Sequence, residues 1–232
     1  MISFVIGGLQ KVSLLDYPGK IAAIVFTQGC NFKCGYCHNP ELNKLDGQRP
    51  AYTVPAFFEF LKMRQGKLDG VVITGGETCI QKDLKKFIAK IKEQGFLVKL
   101  DTNGSKPDIL KELIKDNLLD YIAMDIKGPL NKYCHITKSD IASEAIKQSV
   151  EIIMKSGVDY EFRTTAIKGQ LNTKDFKQIG DLICGAKRYY LQKFVPSKTL
   201  DEKFLNEKTF TDDEFKDIVK SLKEKIKLVC VR

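Results

Sequence analysis

Short apolar runs rich in β-branched and aromatic residues recur along this chain, and stretches with helical spacing separate them. The runs are Ile21–Phe26, Val71–Ile73, Phe96–Leu100, Tyr121–Ile126, Tyr160–Ala166 and Tyr189–Val195. Such runs suit strands buried on both faces, as in parallel sheets. Between them, Leu84, Phe87, Ile88 and Ile91 fall on one helical face, and Gly95 ends the pattern. Ile146, Val150 and Ile153 repeat the spacing before Gly157. Pro55 opens a helix carrying Phe57, Phe58 and Leu61, and Thr173 is read as the cap of one carrying Phe176, Ile179 and Ile183. Thr211-Asp212-Asp213-Glu214 spells a capping box before Phe215, Ile218, Val219 and Leu222, which gives a C-terminal helix. Strand and helix in alternation imply an α/β fold of parallel strands joined by right-handed crossovers. An open doubly wound sheet and a partial barrel both accommodate this order. Asp16-Tyr17-Pro18-Gly19 reads as a turn that pairs Val12–Leu15 with Ile21–Phe26 in a short N-terminal hairpin. No linker divides residues 1–232, so a single domain is expected, with its core at about 21–196.

In parallel α/β folds, ligands bind at the C-terminal ends of the strands. Polar residues gather there. After the first run come Cys30, Cys34 and Cys37, in Cys30-Asn31-Phe32-Lys33-Cys34-Gly35-Tyr36-Cys37. A cubane iron–sulfur cluster normally takes four thiolates. Three close in sequence leave one iron open to a further ligand, which suggests chemistry at the cluster and not electron storage alone. Buried apolar cysteines or three ligands of a zinc ion are the plainer readings. Structural zinc usually pairs two cysteine knuckles, whereas Cys79, Cys134, Cys184 and Cys230 stand alone. Seven cysteines are an odd count and no secretory signal precedes them, which disfavours a disulfide framework. The second run ends in Thr74-Gly75-Gly76-Glu77, and the third leads into Asp101-Thr102-Asn103-Gly104. The fourth leads through Asp125 to Lys127-Gly128, and the fifth contains Arg163 and Thr165.

The Cys-x3-Cys-x-aromatic-Cys spacing is the signature of the radical S-adenosylmethionine (SAM) enzymes, and the chain resembles that family. The resemblance implies a partial (β/α)6 barrel with one [4Fe–4S] cluster on Cys30, Cys34 and Cys37. SAM would occupy the open iron through its amino and carboxylate groups, and an electron from the cluster would cleave it to methionine and a 5′-deoxyadenosyl radical. By the same resemblance Tyr36 packs by the adenine, and Gly75, Gly76 and Glu77 hold the methionine amino group. Asp101-Thr102-Asn103-Gly104 and Asp125-x-Lys127 resemble runs of the glycyl-radical-enzyme activases. They place Asn103 near the ribose, Lys127 near the carboxylate, and Asp101, Thr102 and Asp125 around a monovalent cation. Arg163 is a second candidate for the carboxylate, because a guanidinium suits bidentate pairing. The plainer reading of Asp125, Lys127 and Arg163 is structural ion pairing. Leu9–Lys20 and Phe26–Leu42 look specifically like the activating proteins of anaerobic ribonucleotide reductases. The implied substrate is a glycine of a partner glycyl radical enzyme, with flavodoxin or ferredoxin as electron donor. Many activases carry a His near the end of the last barrel strand, where this chain has Gln192-Lys193-Phe194-Val195-Pro196.

Other features weigh less. Cys79 reads as a packed thiol, His38 as a structural residue of the cysteine loop, and Cys134-His135 as a surface loop. Gly180-x4-Gly185 lacks the Lys and Ser/Thr of a P-loop. The main enzyme rival is a small-molecule radical SAM enzyme resembling the 7-carboxy-7-deazaguanine synthases, in which Asp-Thr typically follows the last cysteine. A non-catalytic metal-binding or electron-transfer module is the rival of a different class. The net charge of +9 could mark a nucleic-acid surface, but most lysines fall on polar helix faces. A basic chain would also attract an acidic electron donor. No apolar run reaches the about 18 residues of a membrane span, and the expected compartment is the reducing cytoplasm.

Overall fold

The computed structural model of the chain describes residues 2–43, 51–140 and 143–232. Strand β1 (Ile6–Ser13) forms an antiparallel hairpin with β2 (Ala22–Thr27). Parallel strands β3 (Gly70–Gly75), β4 (Leu97–Thr102), β5 (Tyr121–Asp125), β6 (Asp159–Ala166) and β7 (Arg188–Lys193) follow, and β8 (Leu228–Val231) adds to β7. The eight strands lie in chain order in one open sheet. The helices are α1 (Val54–Met63), α2 (Leu84–Glu93), α3 (Pro107–Lys115), α4 (Tyr133–Thr137), α5 (Ser143–Lys155), α6 (Thr173–Leu182) and α7 (Asp212–Leu222).

Local chemistry sets the boundaries. The hairpin forms, but β1 ends at Ser13 and not at Leu15. The Ser13 hydroxyl accepts the N–H groups of Leu15 and Asp16 at 3.2 and 3.3 Å, which turns the chain early and leaves Leu14 and Leu15 exposed. Asn172, not Thr173, caps α6: its side chain accepts from Lys174 and Asp175, and Asp175 returns a bond to the Asn172 N–H. Ile183 lies just past that helix. The Thr211–Glu214 capping box forms as the sequence reads. Cys134 and His135 sit on the short helix α4, still exposed, where a loop was expected. Strand β8 follows the C-terminal helix and was not expected; four residues are too few to show a period.

Register divides the strand residues between two faces. Ala23, Val25, Val71, Ile73, Val98, Leu100, Ile122, Met124, Phe162 and Leu191 point to the helices and join the main core. Phe87 of α2 is fully buried there, stacked on Phe4 at 3.9 Å and on Phe57 at 5.2 Å. On the other face, Ala22, Ile24, Val72 and Tyr121 form a second apolar layer, plugged by Tyr17 from the hairpin turn. Contacts on this face skip a strand: Arg188 of β7 lies over the Tyr121 ring of β5 at 5.5 Å, and Arg163 of β6 reaches Asp101 of β4 at 3.0 Å. The sheet is therefore curled into a partial barrel with this face inside, an apolar floor at the N-terminal ends of the parallel strands and polar groups above it.

Phe87→Ala should lower the unfolding free energy by about 3–5 kcal/mol, the cost of emptying a large core site. Leu15→Ala, at a residue 90% exposed, should change it by no more than about 0.5 kcal/mol. Urea unfolding followed by circular dichroism checks both.

Candidate active site

The cysteine loop leaves β2 and lies across the rim of the barrel. Backbone hydrogen bonds fix it to several other segments. The Gly29 N–H donates to the Leu42 carbonyl at 2.7 Å, Lys33 N–H to Thr137 at 2.7 Å, and Asp201 N–H to the Gly35 carbonyl at 2.9 Å. The turn after β3 is pinned against the start of the loop: the N–H groups of Gly76 and Glu77 donate to the carbonyls of Thr27 and Gly29 at 2.9 and 2.8 Å. A Cβ at Gly76 would sit on the Gly29 carbonyl, so glycine is required for this approach. Asn31 joins the loop to the β4 end, donating to the Ser105 hydroxyl at 2.8 Å and accepting from the Asn103 amide at 3.0 Å.

This rim encloses a cavity of about 330 Å³, within the range of small-molecule sites, about 300–1,000 Å³. Cys30, Cys34 and Cys37 all line it, as do Tyr36, Gly75, Gly76, Glu77, Asp101, Thr102, Asn103, Asp125, Lys127 and Arg163. The thiols are free. Burial pushes the Cys30 thiol up to about 12 and raises that of Cys34, while the Lys127 ammonium pulls both the other way. Three soft sulfur donors facing one cavity, beside a fixed cation, are a donor set suited to iron–sulfur ligation. Among the described residues no three His, Cys, Asp or Glu groups converge as the ligands of one ion would; in a cluster, each thiolate takes its own iron. Cys79 is buried off the cavity, with its sulfur 3.5 Å from the Thr102 hydroxyl.

Glu77 is 1% exposed. Its carboxylate accepts from the Cys79 N–H at 2.9 Å, the Thr102 hydroxyl at 2.6 Å and the Asn103 N–H at 2.7 Å. Burial raises its pKa, and these three donors oppose the rise without cancelling it. A cation arriving in the cavity would act against that rise. Tyr36 is buried under the Phe204 ring, with centroids 5.9 Å apart. Asn103 spends its amide on Asn31 and its carbonyl oxygen on the Ser105 N–H at 2.9 Å. His38 is an exposed lining residue; its Nε2–H donates to the Val195 carbonyl at 3.2 Å, and its ring stacks on Phe194 at 5.5 Å.

Below the rim lies a ladder of alternating charge. Lys99 pairs with Asp101. Arg163 donates from one nitrogen to Asp101 at 3.0 Å and from another to Asp125 at 2.7 Å. Lys127 donates to Asp125 at 3.0 Å. Burial would raise both carboxyls, but Arg163 and the lysines outweigh it and hold them below the usual carboxylate range. Burial likewise opposes the charge of Lys127, and Asp125 outweighs it, so the ammonium stays protonated above the usual lysine range. Three cations against two anions leave this network net positive toward the cavity.

Residues 24–183 match the Radical SAM superfamily model. The chain belongs to that superfamily. A Methanocaldococcus jannaschii relative, provisionally named a glycyl-radical enzyme activating enzyme, is 34% identical over 98% of this chain and 95% of its own length. The pyruvate formate-lyase-activating enzyme of Clostridium pasteurianum is 33% identical over 53% of the chain and 52% of its own. Among solved structures, Streptococcus suis SuiB bound to precursor peptide SuiA matches 89% of this chain and 47% of that one with a TM-score of 0.67. At 13% identity, this likeness speaks for the fold alone.

In this radical SAM chain, sequence reading passed over Asn31, Ser105, Lys99 and Phe204. Asn31 lay in plain view between Cys30 and Cys34. Lys99 was legible as a lone charge within an apolar run. Ser105 and Phe204 gave no signal, because their partners are distant in sequence.

Arg163→Met leaves two half-buried carboxylates with one lysine each and should cost about 1.5–3 kcal/mol of stability, the loss of hydrogen bonds between charged groups. In the wild type both carboxyls titrate below their unfolded value of about 4, so their contribution is full above that pH and lost in acid. The deficit of the variant should therefore be largest near neutral pH and shrink as the pH falls. Thermal unfolding from about pH 7 down to about pH 2, which brackets the unfolded carboxylate value of about 4, measures it.

Proposed function

We propose that the protein activates a glycyl radical enzyme by reductive cleavage of SAM. The observation that carries this reading is the match over nearly the full length of both chains, at 34% identity, to the Methanocaldococcus jannaschii relative provisionally named a glycyl-radical enzyme activating enzyme. The pyruvate formate-lyase-activating enzymes support it over half of the chain. A [4Fe–4S] cluster, when bound, supplies the electron that splits SAM into methionine and a 5′-deoxyadenosyl radical, which takes a hydrogen atom from a backbone glycine of the partner.

In this reading Cys30, Cys34 and Cys37 hold the cluster. The floor and walls exclude water. Gly75, Gly76 and the Glu77 carboxylate receive the methionine ammonium, since a buried carboxyl with a raised pKa gains most from a cation. Lys127 faces the methionine carboxylate with its charge secured by Asp125. Tyr36, backed by Phe204, flanks the adenine, and Asn103, fixed by Asn31 and Ser105, lies toward the ribose. Arg163 was a candidate for the carboxylate; its guanidinium donates to Asp101 and Asp125, which favours a structural role. The same pairs make Asp101 and Asp125 poor hosts for a monovalent cation, because Arg163, Lys99 and Lys127 already neutralise them. The partner named by the runs 9–20 and 26–42 is an anaerobic ribonucleotide reductase, and the electron donor is a flavodoxin or ferredoxin. A reducing cytoplasm suits both the thiols and the donor; among the described residues no helix is long and apolar enough to cross a membrane.

Anaerobic reconstitution should load about four irons per chain. Alanine at Cys30, Cys34 or Cys37 should abolish 5′-deoxyadenosine formation, whereas alanine at Cys79, Cys184 or Cys230 should not. With its partner, SAM and a reductant, the protein should yield a glycyl radical signal in electron paramagnetic resonance, lost when the partner's glycine becomes alanine. Fast stoichiometric turnover of a small metabolite, with no protein radical, would overturn the reading.

A further inference from the structure

The cysteine loop has two faces. Phe32, Cys34 and Tyr36 line the cavity, whereas Lys33 and Gly35 line a separate open depression on the outside, together with Lys138, Leu200, Asp201, Glu202 and Lys203. Gly35 and Tyr36 form a turn closed by the Cys37 N–H donating to the Cys34 carbonyl at 3.1 Å. Gly35 forms the floor of the depression and is bonded on one side to Cys34, a cavity-lining thiol. A Cβ there would sit on the Phe204 ring, so the glycine brings the 199–206 segment directly onto the back of the loop. Lys33 and Lys203 are exposed and, among the described residues, enter no ion pair; Lys138 spends its charge on Asp201 at 3.6 Å. Leu205, beside Lys203, is 45% exposed. Glu202, also exposed and in no ion pair among the described residues, offsets one of these two ammonium groups, so with Lys138 and Asp201 cancelling the lining keeps a net charge of one positive, on the back of the loop that carries the cysteine sulfurs.

We propose that this depression is the docking surface of the electron donor, an acidic one-electron carrier protein. The inference rests on the assignment of the cluster to Cys30, Cys34 and Cys37. In the step concerned, the reduced donor loses one electron and the cluster gains it, with no bond made or broken in the protein. Electron transfer falls steeply with distance, and Gly35 in the depression is joined directly to Cys34, which lines the cavity on the other face of the loop. The cavity mouth, edged by His38, Asn39, Gln192 and Lys193, lies on the other face of the loop. The donor therefore leaves the mouth free for the substrate polypeptide, and both proteins engage the same enzyme without displacing one another.

The test uses anaerobically reconstituted full chain and a reduced plant-type [2Fe–2S] ferredoxin as the acidic probe. The Lys33→Glu/Lys203→Glu variant should bind the oxidised ferredoxin more weakly in calorimetry and be reduced by it about tenfold more slowly at low salt, the loss expected when electrostatic steering is reversed. Reduction by dithionite, followed by the cluster signal, should be unchanged. Lys20→Glu/Lys67→Glu makes the same charge change at the opposite end of the strands and should keep the wild-type ferredoxin rate. Lys203→Glu alone, outside the cysteine loop, gives a second reading if the double variant loads iron poorly. Equal ferredoxin rates in the dock variant and the wild type would overturn the proposal, as would an equal loss in the Lys20/Lys67 control. So would weakened binding of the glycyl radical partner in place of ferredoxin. A wild type that forms no cluster would instead overturn the cluster assignment, and this proposal with it.

Discussion

One guanidinium holds the inside of the barrel in shape. Arg163 lies between carboxylates from two other strands, Asp101 on β4 and Asp125 on β5, and so ties three strands together at one height. Buried ion pairs are poor sources of net stability, but breaking one strands its partners. The arrangement consequently specifies position more than it adds energy. Asp125 in turn holds the ammonium of Lys127, and Lys127 is the positive charge that Cys30 and Cys34 feel. The curl of the sheet and the electrostatics of the cavity thus share a single set of contacts.

The other constraint is backbone on backbone. The turn after β3 and the start of the cysteine loop touch through two N–H···O bonds at a spacing that admits no Cβ on Gly76. Neighbouring strand ends in a parallel sheet are natural meeting points for two loops. Glycine turns that proximity into direct contact and carries Glu77 into the position where three donors fix its carboxylate.

Much of this was legible in the sequence, for physical reasons. Strands buried on both faces are mostly apolar, so β2 to β7 announced themselves even though Lys99 and Arg163 lie among them. The polar residues that follow them fell at one rim because parallel strands place all such ends together. Three thiols within eight residues and a glycine pair before a glutamate were local signals, and they lie in one cavity. Partnerships between distant segments were not legible. Arg163 reads equally well as a ligand or as a bridge until Asp101 and Asp125 are seen beside it. The strand Leu228–Val231 was too short to show a period, and the boundary of β1 turned on one serine hydroxyl. Thr173 and Asn172 are both plausible caps in a sequence, and only the hydrogen bonds choose between them.

The segment that presses on the outside of the cysteine loop comes late in the chain. Residues 30–37 are synthesised early, yet their fixed conformation draws on Ser105, Thr137, Asp201 and Phe204. Contacts this far apart in sequence form only after the intervening chain has closed its loops. A nascent chain shorter than about 200 residues has the three cysteines but not the wall behind them. The loop acquires its shape only once the chain has emerged past Phe204, so metal loading into the finished site belongs after that point, and a shorter product exposes bare thiols to whatever else is present.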